Sequence, residues 1–168
     1  MSIDKRITDD LVSKGIRFVT TVPCKQLAGV IDEIDRHPDI KHVPSNKEDE
    51  GMGLCAGAWM GGVRPAIIMQ NTALGVTLNT LATLTQFYRM PLPMLISYRG
   101  ELREPVACQV EMALHTKALL AQMLIPTYHF HSQADVEELP MILDYAFMSN
   151  KPVAILTDAN FWGGYGDQ

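Results

Sequence analysis

The sequence predicts an α/β fold with three layers, α/β/α, around a six-stranded, mainly parallel sheet. Short runs rich in β-branched and other apolar residues alternate along the chain with polar turns and with segments of helical periodicity. Strands that alternate with helices pair in parallel through right-handed crossovers, which places helices on both faces of the sheet. The length of 168 residues is typical of one domain, so we expect a single domain over residues 1–168.

Six runs are the predicted strands, and helices are predicted between them. The strands are expected at 17–22, 40–43, 66–69, 93–97, 127–130 and 153–156. Apolar positions three or four residues apart predict a helix through Ile3, Ile7 and Leu11 and another through 74–85. A last helix is expected from Asp135 to about Ser149.

The turns that follow the predicted strands are where we expect chemistry. Open parallel sheets bind ligands beyond the carboxyl ends of their strands. Polar residues gather in those turns, at 23–25, 45–48, 70–72, 99–101 and 158–160. Because turns are polar in any α/β protein, a polar turn alone does not identify a site.

Composition and charge exclude two classes of partner. The net charge is −5, with no basic field for phosphate backbones, so we expect no nucleic-acid binding. The longest apolar run, Gly53 to Val63, is far shorter than the roughly 20 residues that span a bilayer, and we expect no membrane partner. The charged N-terminus, Met1 to Arg6, has no signal-peptide character and predicts a cytoplasmic protein. Charged residues make up 20%, below the usual ~25%, which suggests surface intended for burial.

Cysteine and histidine spacing does not predict a metal centre. The three cysteines are Cys24, Cys55 and Cys108, with no CxxC pair, and we expect reduced thiols. Of these, Cys24 and Cys55 are expected to pack in the interior. His129 and His131 are separated by a single residue on a predicted strand and have no third ligand nearby. We therefore expect no metal ligands from this chain.

An acidic turn leads into a glycine-rich helix. Glu48, Asp49 and Glu50 stand at the predicted start, where the helix dipole favours carboxylates; for Asp49 and Glu50 we prefer this purely structural role. Gly51, Gly53 and Gly57 follow, and each glycine costs a helix about 1 kcal/mol relative to alanine. We therefore expect a neighbouring backbone or a ligand to press close to them. The segment has neither a GxxxxGK[ST] loop nor a GxGxxG fingerprint.

Four segments of the chain match one known pattern. They are Glu48 nine residues before Gly57, the Gly-Leu-Cys-Ala-Gly-Ala run at 53–58, Met69 to Gly75 with Asn79, and Pro91 to Glu101. Together they resemble the pyrimidine-binding domain of thiamine-diphosphate-dependent 2-oxo-acid decarboxylases, within the branch of sulfopyruvate and phosphonopyruvate decarboxylases. The resemblance covers nearly the whole chain and implies the thiamine-diphosphate-binding fold.

The resemblance assigns roles to particular residues. It implies that Glu48 hydrogen-bonds N1′ of the cofactor's aminopyrimidine and favours its imino form. It places Gln70, Asn71 and Thr72 beside the same cofactor. A water-shielded carboxylate suits this role, because only then would it share a proton with a weakly basic ring nitrogen.

The resemblance also implies a partner subunit. Full-length relatives hold Mg²⁺ and the diphosphate with a Gly-Asp-Gly motif and a downstream asparagine in a second domain, and no Gly-Asp-Gly occurs here. We therefore expect a hetero-oligomer in which a beta subunit carries the diphosphate-binding domain, with thiamine diphosphate shared at the interface.

The implied reaction converts 3-sulfopyruvate to sulfoacetaldehyde and CO₂, and phosphonopyruvate or another 2-oxo acid is the alternative substrate. The anionic ends of a sulfonate substrate need donors, for which Lys25, Asn71, Arg99 and His115 are candidates. Each also has a structural alternative: Lys25 solvated, Asn71 capping the next helix, Arg99 paired with Glu101 or Glu104, and His115 on a helix surface.

Two functions of other classes remain open. A doubly wound domain could bind a small ligand without chemistry, and fold alone does not exclude this. A non-catalytic scaffold of a thiamine enzyme is the other, against which Glu48 argues, since a scaffold has no need of it.

Overall fold

The six predicted strands are confirmed in the computed structural model, which describes residues 1–102 and 104–164. Their bounds differ from the expected ones by two residues at most, and those of the fifth strand are unchanged. The strands are Ile16–Thr21 (β1), Lys41–Pro44 (β2), Arg64–Gln70 (β3), Leu92–Ser97 (β4), Thr127–Phe130 (β5) and Pro152–Thr157 (β6).

In the described part of the chain, six α-helices connect or flank the strands. They are Ile3–Ser13 (α1), Ala28–Arg36 (α2), Glu48–Met60 (α3), Leu74–Thr80 (α4), Cys108–Gln122 (α5) and Leu139–Ser149 (α6). Helix α4 continues directly into a π-helical segment, Leu81–Gln86, and a 3₁₀ segment precedes each of α2, α4 and α6. The expected last helix therefore begins as 3₁₀ residues Gln133–Glu138, fixed by a capping box between Ser132 and Asp135.

The sheet is parallel throughout, in the order β2-β1-β3-β4-β6-β5. From β1 the chain first moves outward to β2 and then returns to the other side of β1 as β3. This reversal is a topological switch point, where two adjacent crossovers leave the sheet in opposite directions and open a crevice at the carboxyl ends of the strands. The crevice between β1 and β3 is therefore the expected place for a ligand.

Alternate strand residues face two helical layers, as the three-layer prediction requires. One layer contains α1, α2 and α6, which bury Leu11, Ile34 and Leu143 against strand residues such as Ile68 and Ile155. The opposite layer contains α3, α4 and α5. Its core pairs helix residues with the intervening strand positions, among them Met52, Leu74, Leu120, Ile67, Met69 and Leu156. Within the described ranges, no helix has both the length and the apolar character needed to cross a membrane.

Candidate functional site

The carboxyl end of the sheet gathers the polar turns that the sequence singles out. The turn after β1 contains Cys24 and Lys25, and the turn after β3 contains Gln70 to Thr72. Glu48 follows β2 as the first residue of α3, and α3 packs across β1 and β3. The switch point therefore lies between the first two turns, with α3 beside it.

Glu48 is a buried carboxylate at a helix start. The residue is only 8% exposed, and burial raises its pKa more than its own backbone amide lowers it; the charge of Asp49 adds to the rise. A carboxylate at a helix N-terminus is normally stabilised in its charged form, so burial wins here over the helix dipole. Glu48 is therefore set to hold or share a proton at a higher pH than an ordinary glutamate.

Its two acidic neighbours behave differently. Asp49 accepts a hydrogen bond from the backbone N–H of Glu50 at 3.0 Å, and Glu50 accepts one from Asn46 N–H at 3.1 Å. Both carboxylates thus satisfy local backbone groups at the helix start, which is the structural role expected for them. Among the described residues, the Glu48 carboxylate has no hydrogen bond to another residue and no ion pair.

The helix glycines separate into one packed position and two open ones. A Cβ atom on Gly51 would lie 2.9 Å from Ser45 Oγ and 3.1 Å from Ile67 Cδ1, so the approach of the sheet requires glycine there. A Cβ atom on Gly53 or Gly57 would meet nothing within 4 Å. The expectation of a close neighbour is confirmed within this chain for Gly51 alone, and the face of α3 at Gly53 and Gly57 is open.

The Gln70 side chain connects the turns after β1 and β3. Its Oε1 accepts from Cys24 Sγ at 3.3 Å, and its Nε2 donates to Gln109 Oε1 at 2.7 Å and to Thr72 Oγ1. Cys24 is buried, as predicted for a packed thiol, and so is Cys55 on α3. The amide of Gln70 therefore holds the wall of the switch point together.

Asn71 and Arg99 form a second, fully buried network. Asn71 Oδ1 accepts from Arg99 N–H at 2.8 Å, while its Nδ2 donates to Arg99 C=O at 3.0 Å and to Thr116 Oγ1 at 3.1 Å. The guanidinium of Arg99 donates to both oxygens of Glu104, at 2.9 and 2.5 Å. Of the two structural partners considered from the sequence for Arg99, the structure selects Glu104.

Glycine is required directly after Arg99. Gly100 has φ of +96°, and a Cβ atom there would come within 2.2 Å of Gln109 O. Its N–H donates to Glu104 Oε2 at 2.9 Å. The Arg-Gly-Glu segment therefore turns sharply against α5 and places Arg99 within reach of Glu104.

The remaining substrate candidates are exposed. Lys25 lies in the 3₁₀ segment after β1, and His115 lies on the outer surface of α5. Within the described ranges, no hydrogen bond or ion pair connects either of them to the two networks. The structure thus joins Gln70 to Thr72 and Asn71 to Arg99, and it leaves Glu48, Lys25 and His115 outside these contacts.

Gln26 is a polar residue that the sequence interpretation missed. Its Oε1 accepts from Ser97 Oγ at 2.7 Å at the carboxyl end of β4, while its buried Nε2 has no hydrogen-bond partner among the described residues. Its position directly after Cys24 and Lys25 in the first post-strand turn was the available signal. An unpartnered buried donor is costly and points to a missing acceptor.

The expectation that His129 and His131 have no third ligand nearby is wrong. Asp158 Oδ2 lies 3.3 Å from His129 Nε2 and 2.5 Å from His131 Nδ1. The proximity arises because β5 and β6 are neighbours in the sheet although Asp158 is distant in sequence. This cluster stands at the carboxyl ends of β5 and β6.

Comparisons with known proteins place the chain in a family. No family model matches it. It is 36% identical to the sulfopyruvate decarboxylase subunit alpha of Methanococcus maripaludis, over 96% of this chain and 98% of the relative. It is 39% identical to the corresponding subunit of Methanothermobacter thermautotrophicus, over 88% and 90%. A sulfopyruvate decarboxylase of Methanosarcina acetivorans is 29% identical over 95% of this chain, which spans 41% of that longer protein.

Among solved structures, a 2-oxoglutarate:ferredoxin oxidoreductase from Magnetococcus marinus has the same fold, with a TM-score of 0.75. The identity is 14%, and the match covers 96% of this chain but 29% of the other. That likeness concerns the fold, whereas the sequence matches extend along almost the whole chain. The chain belongs to the family of sulfopyruvate decarboxylase alpha subunits.

Proposed function

We propose that this chain is one subunit of a thiamine-diphosphate-dependent carboxy-lyase that converts 3-sulfopyruvate to sulfoacetaldehyde and CO₂. Family membership supports the decarboxylase role. The observation that carries the proposal within this chain is Glu48, a buried carboxylate with a raised pKa beside the switch point.

Glu48 and the polar residues of the turns after β1 and β3 fit the pyrimidine half of such a cofactor. A buried carboxylate without an ion-pair partner among the described residues can share a proton with a weakly basic ring nitrogen, which a solvated carboxylate does poorly. The buried, unpartnered Nε2 of Gln26 offers a donor at the same carboxyl end of the sheet. Gln70 and Thr72, tied to each other in the next turn, are the further candidate contacts.

When bound, thiamine diphosphate supplies the electron sink that takes up the electron pair left as CO₂ departs. In our proposal Glu48 hydrogen-bonds N1′ of the aminopyrimidine, holds a proton there and thereby favours the imino form. Asn71 acts indirectly, because its polar atoms bind the backbone of Arg99 and the Thr116 hydroxyl.

We propose that a separate beta subunit supplies the diphosphate-binding domain and holds Mg²⁺. The full-length matches are named alpha subunits, and the longer sulfopyruvate decarboxylase extends well beyond the part that matches this chain. The open glycine face of α3 lies in the same layer as exposed Val76 on α4 and Phe87, which is 72% exposed. This face is the proposed docking surface, since exposed apolar groups beside a backbone open to close approach suit a packed interface.

For the substrate we retain Lys25 and His115 as the exposed candidates to bind its anionic ends. Lys25 lies in the turn that follows β1, at the switch point. Arg99 is charge-neutralised by Glu104, which makes it a weaker candidate than the sequence suggested. Relatives matching over most of the chain favour the sulfonate over the phosphonate substrate.

The test is a decarboxylation assay of the chain co-purified with its partner subunit, with thiamine diphosphate and Mg²⁺. Glu48→Gln keeps the shape of the side chain but cannot take up a proton, and we expect kcat to fall at least ~100-fold, the lower end for a lost proton-transfer group. Glu50→Gln is the matched control on the same helix turn and should stay within about twofold of wild type.

Three outcomes would contradict parts of the proposal. Near-normal turnover by Glu48→Gln removes the role of Glu48. A preference for phosphonopyruvate or pyruvate over sulfopyruvate overturns the substrate assignment. Full activity of this chain without a partner overturns the shared site.

A further inference from the structure

Parallel pairing of β5 and β6 creates a cluster of three metal-ligand side chains. His129 pairs with Leu156 and Phe130 with Thr157, so His131 and Asp158 leave the two strands side by side. His129 and His131 lie two residues apart, hence on one side of the strand, and their ring centroids are 3.8 Å apart. We propose that His129, His131 and Asp158 bind a divalent transition-metal ion such as Zn²⁺.

The distances suit a small tetrahedral ion. Zinc bonds of about 2.0–2.1 Å at tetrahedral angles place neighbouring ligand atoms roughly 3.3 Å apart. Asp158 Oδ2 is 3.3 Å from His129 Nε2 and 2.5 Å from His131 Nδ1, and all three ligand atoms lie within 4.8 Å of one another. Widening the second contact by less than about 1 Å admits the ion.

His129 has a free ligand atom. Its Nε2 is buried and makes no hydrogen bond with the described residues, although Asp158 is close. In the tautomer with its proton on Nδ1, this buried nitrogen offers its lone pair to a metal ion.

Asp158 is a fully buried carboxylate with its orientation fixed. Phe161 N–H donates to Oδ1 at 3.0 Å, which leaves Oδ2 directed toward the two histidines. Such an outer hydrogen bond is typical of metal-binding carboxylates. Oδ2 is in hydrogen-bond contact with His131 Nδ1, and a divalent cation bound between the two atoms would replace that contact while offsetting the charge of the buried carboxylate.

The surroundings hold the ligands and leave an entry path. The Tyr98 ring packs edge-on against His129, with centroids 5.2 Å apart, and fixes the imidazole plane. The His131 side chain is 61% exposed, so an ion can enter from that side and water can complete its coordination.

The cluster is independent of Glu48. Glu48 begins α3, which packs across β1 and β3, whereas the cluster lies at β6 and the edge strand β5, and the two sites share no residue. A failure of metal binding therefore leaves the decarboxylase proposal unaffected, and the reverse also holds.

The test is a Zn²⁺ titration against a chromophoric chelator with the full chain in the complex in which it is purified. All variants carry Cys108→Ser, because Cys108 is an exposed thiol that could bind zinc by itself. We expect one zinc equivalent that His131→Gln weakens at least tenfold and that the matched control His115→Gln, on the surface of α5, leaves unchanged. His131 is exposed, so its replacement should not affect folding.

A second readout distinguishes the cluster from incidental binding. Zinc should raise the Tm of the parent and of His115→Gln, because a ligand that binds the native state stabilises it, and should leave the Tm of His131→Gln unchanged. Absence of zinc uptake by the parent overturns the proposal. Equal affinity in His131→Gln and His115→Gln also overturns it.

Discussion

Replacing Asn71 by alanine should destabilise the fold, because this side chain is committed to the protein. Its amide binds both backbone groups of Arg99 and also the Thr116 hydroxyl, and all of these atoms are buried. Alanine removes the hydrogen bonds that Asn71 makes to the N–H and C=O of Arg99. An unsatisfied buried polar group costs about 1–3 kcal/mol, so the pair costs roughly 2–6 kcal/mol.

The assay is urea unfolding of the variant beside Asn79→Ala. Asn79 is an exposed asparagine on α4, and its loss should change stability by less than about 0.5 kcal/mol. For a chain of this length, 1 kcal/mol corresponds to about 2–4 °C in Tm, so Asn71→Ala should melt at least about 4 °C lower. The urea midpoint should fall with an unchanged slope if the unfolded state is unaffected.

One result would refute this reasoning. If Asn71→Ala unfolds at the same midpoint as Asn79→Ala yet loses decarboxylase activity, the side chain serves a ligand and not the Arg99 backbone. The cofactor and substrate contacts inferred from the family resemblance would then apply to Asn71 directly.

Three further predictions concern α3. Gly57→Phe adds bulk to the proposed docking surface and should reduce co-purification with the partner subunit at least tenfold. The control Met148→Phe, in the opposite helical layer, should not reduce it, and equal co-purification of the two variants would contradict the proposed surface. Burial raises the pKa of Glu48 above 4.5, so the stability of the protonated form is present at low pH and lost as pH rises through the folded value. Glu48→Gln should thus match wild type near pH 4 and become more stable than it toward pH 7 in urea unfolding, and a pH-independent difference would argue against a buried, ionising carboxylate. Gly51→Ala should lower the free energy of unfolding by about 1–3 kcal/mol through overpacking, whereas Gly53→Ala should raise it by roughly 0.5–1 kcal/mol. Equal urea midpoints for the two variants would contradict the close packing at Gly51.

The sheet could be predicted from sequence because its strands are buried on both faces. The run Val153 to Leu156, for example, is apolar at successive positions and bounded by polar turns, which is typical of a central parallel strand. The order of the strands could not be obtained in the same way. Apolar content does not say which neighbour a strand selects, and so the contact between Asp158 and the two histidines was missed.

The candidate site could be predicted only where the local sequence singles out one residue. Glu48 stands out by its place before a glycine-rich helix, and the structure buries it there. Arg99 had two possible acidic partners a short distance along the chain, Glu101 and Glu104. The positive φ of Gly100 turns the chain toward Glu104, and the spacing of residues along the sequence does not predict that turn.

At the carboxyl end of the sheet, residues that hold the fold differ from residues that can bind a ligand in one respect. The polar atoms of the first kind already have hydrogen-bond partners within the protein. The side-chain amides of Asn71 and Gln70 form hydrogen bonds with other protein groups and therefore hold the turns in place. The Nε2 atoms of Gln26 and His129 are buried without a hydrogen-bond partner among the described residues, and the carboxylate of the buried residue Glu48 makes no hydrogen bond to another described side chain. Leaving such groups unpaired costs stability, and folded proteins retain few of them without a compensating role. These three positions are therefore where a ligand or an ion would supply what the chain leaves open.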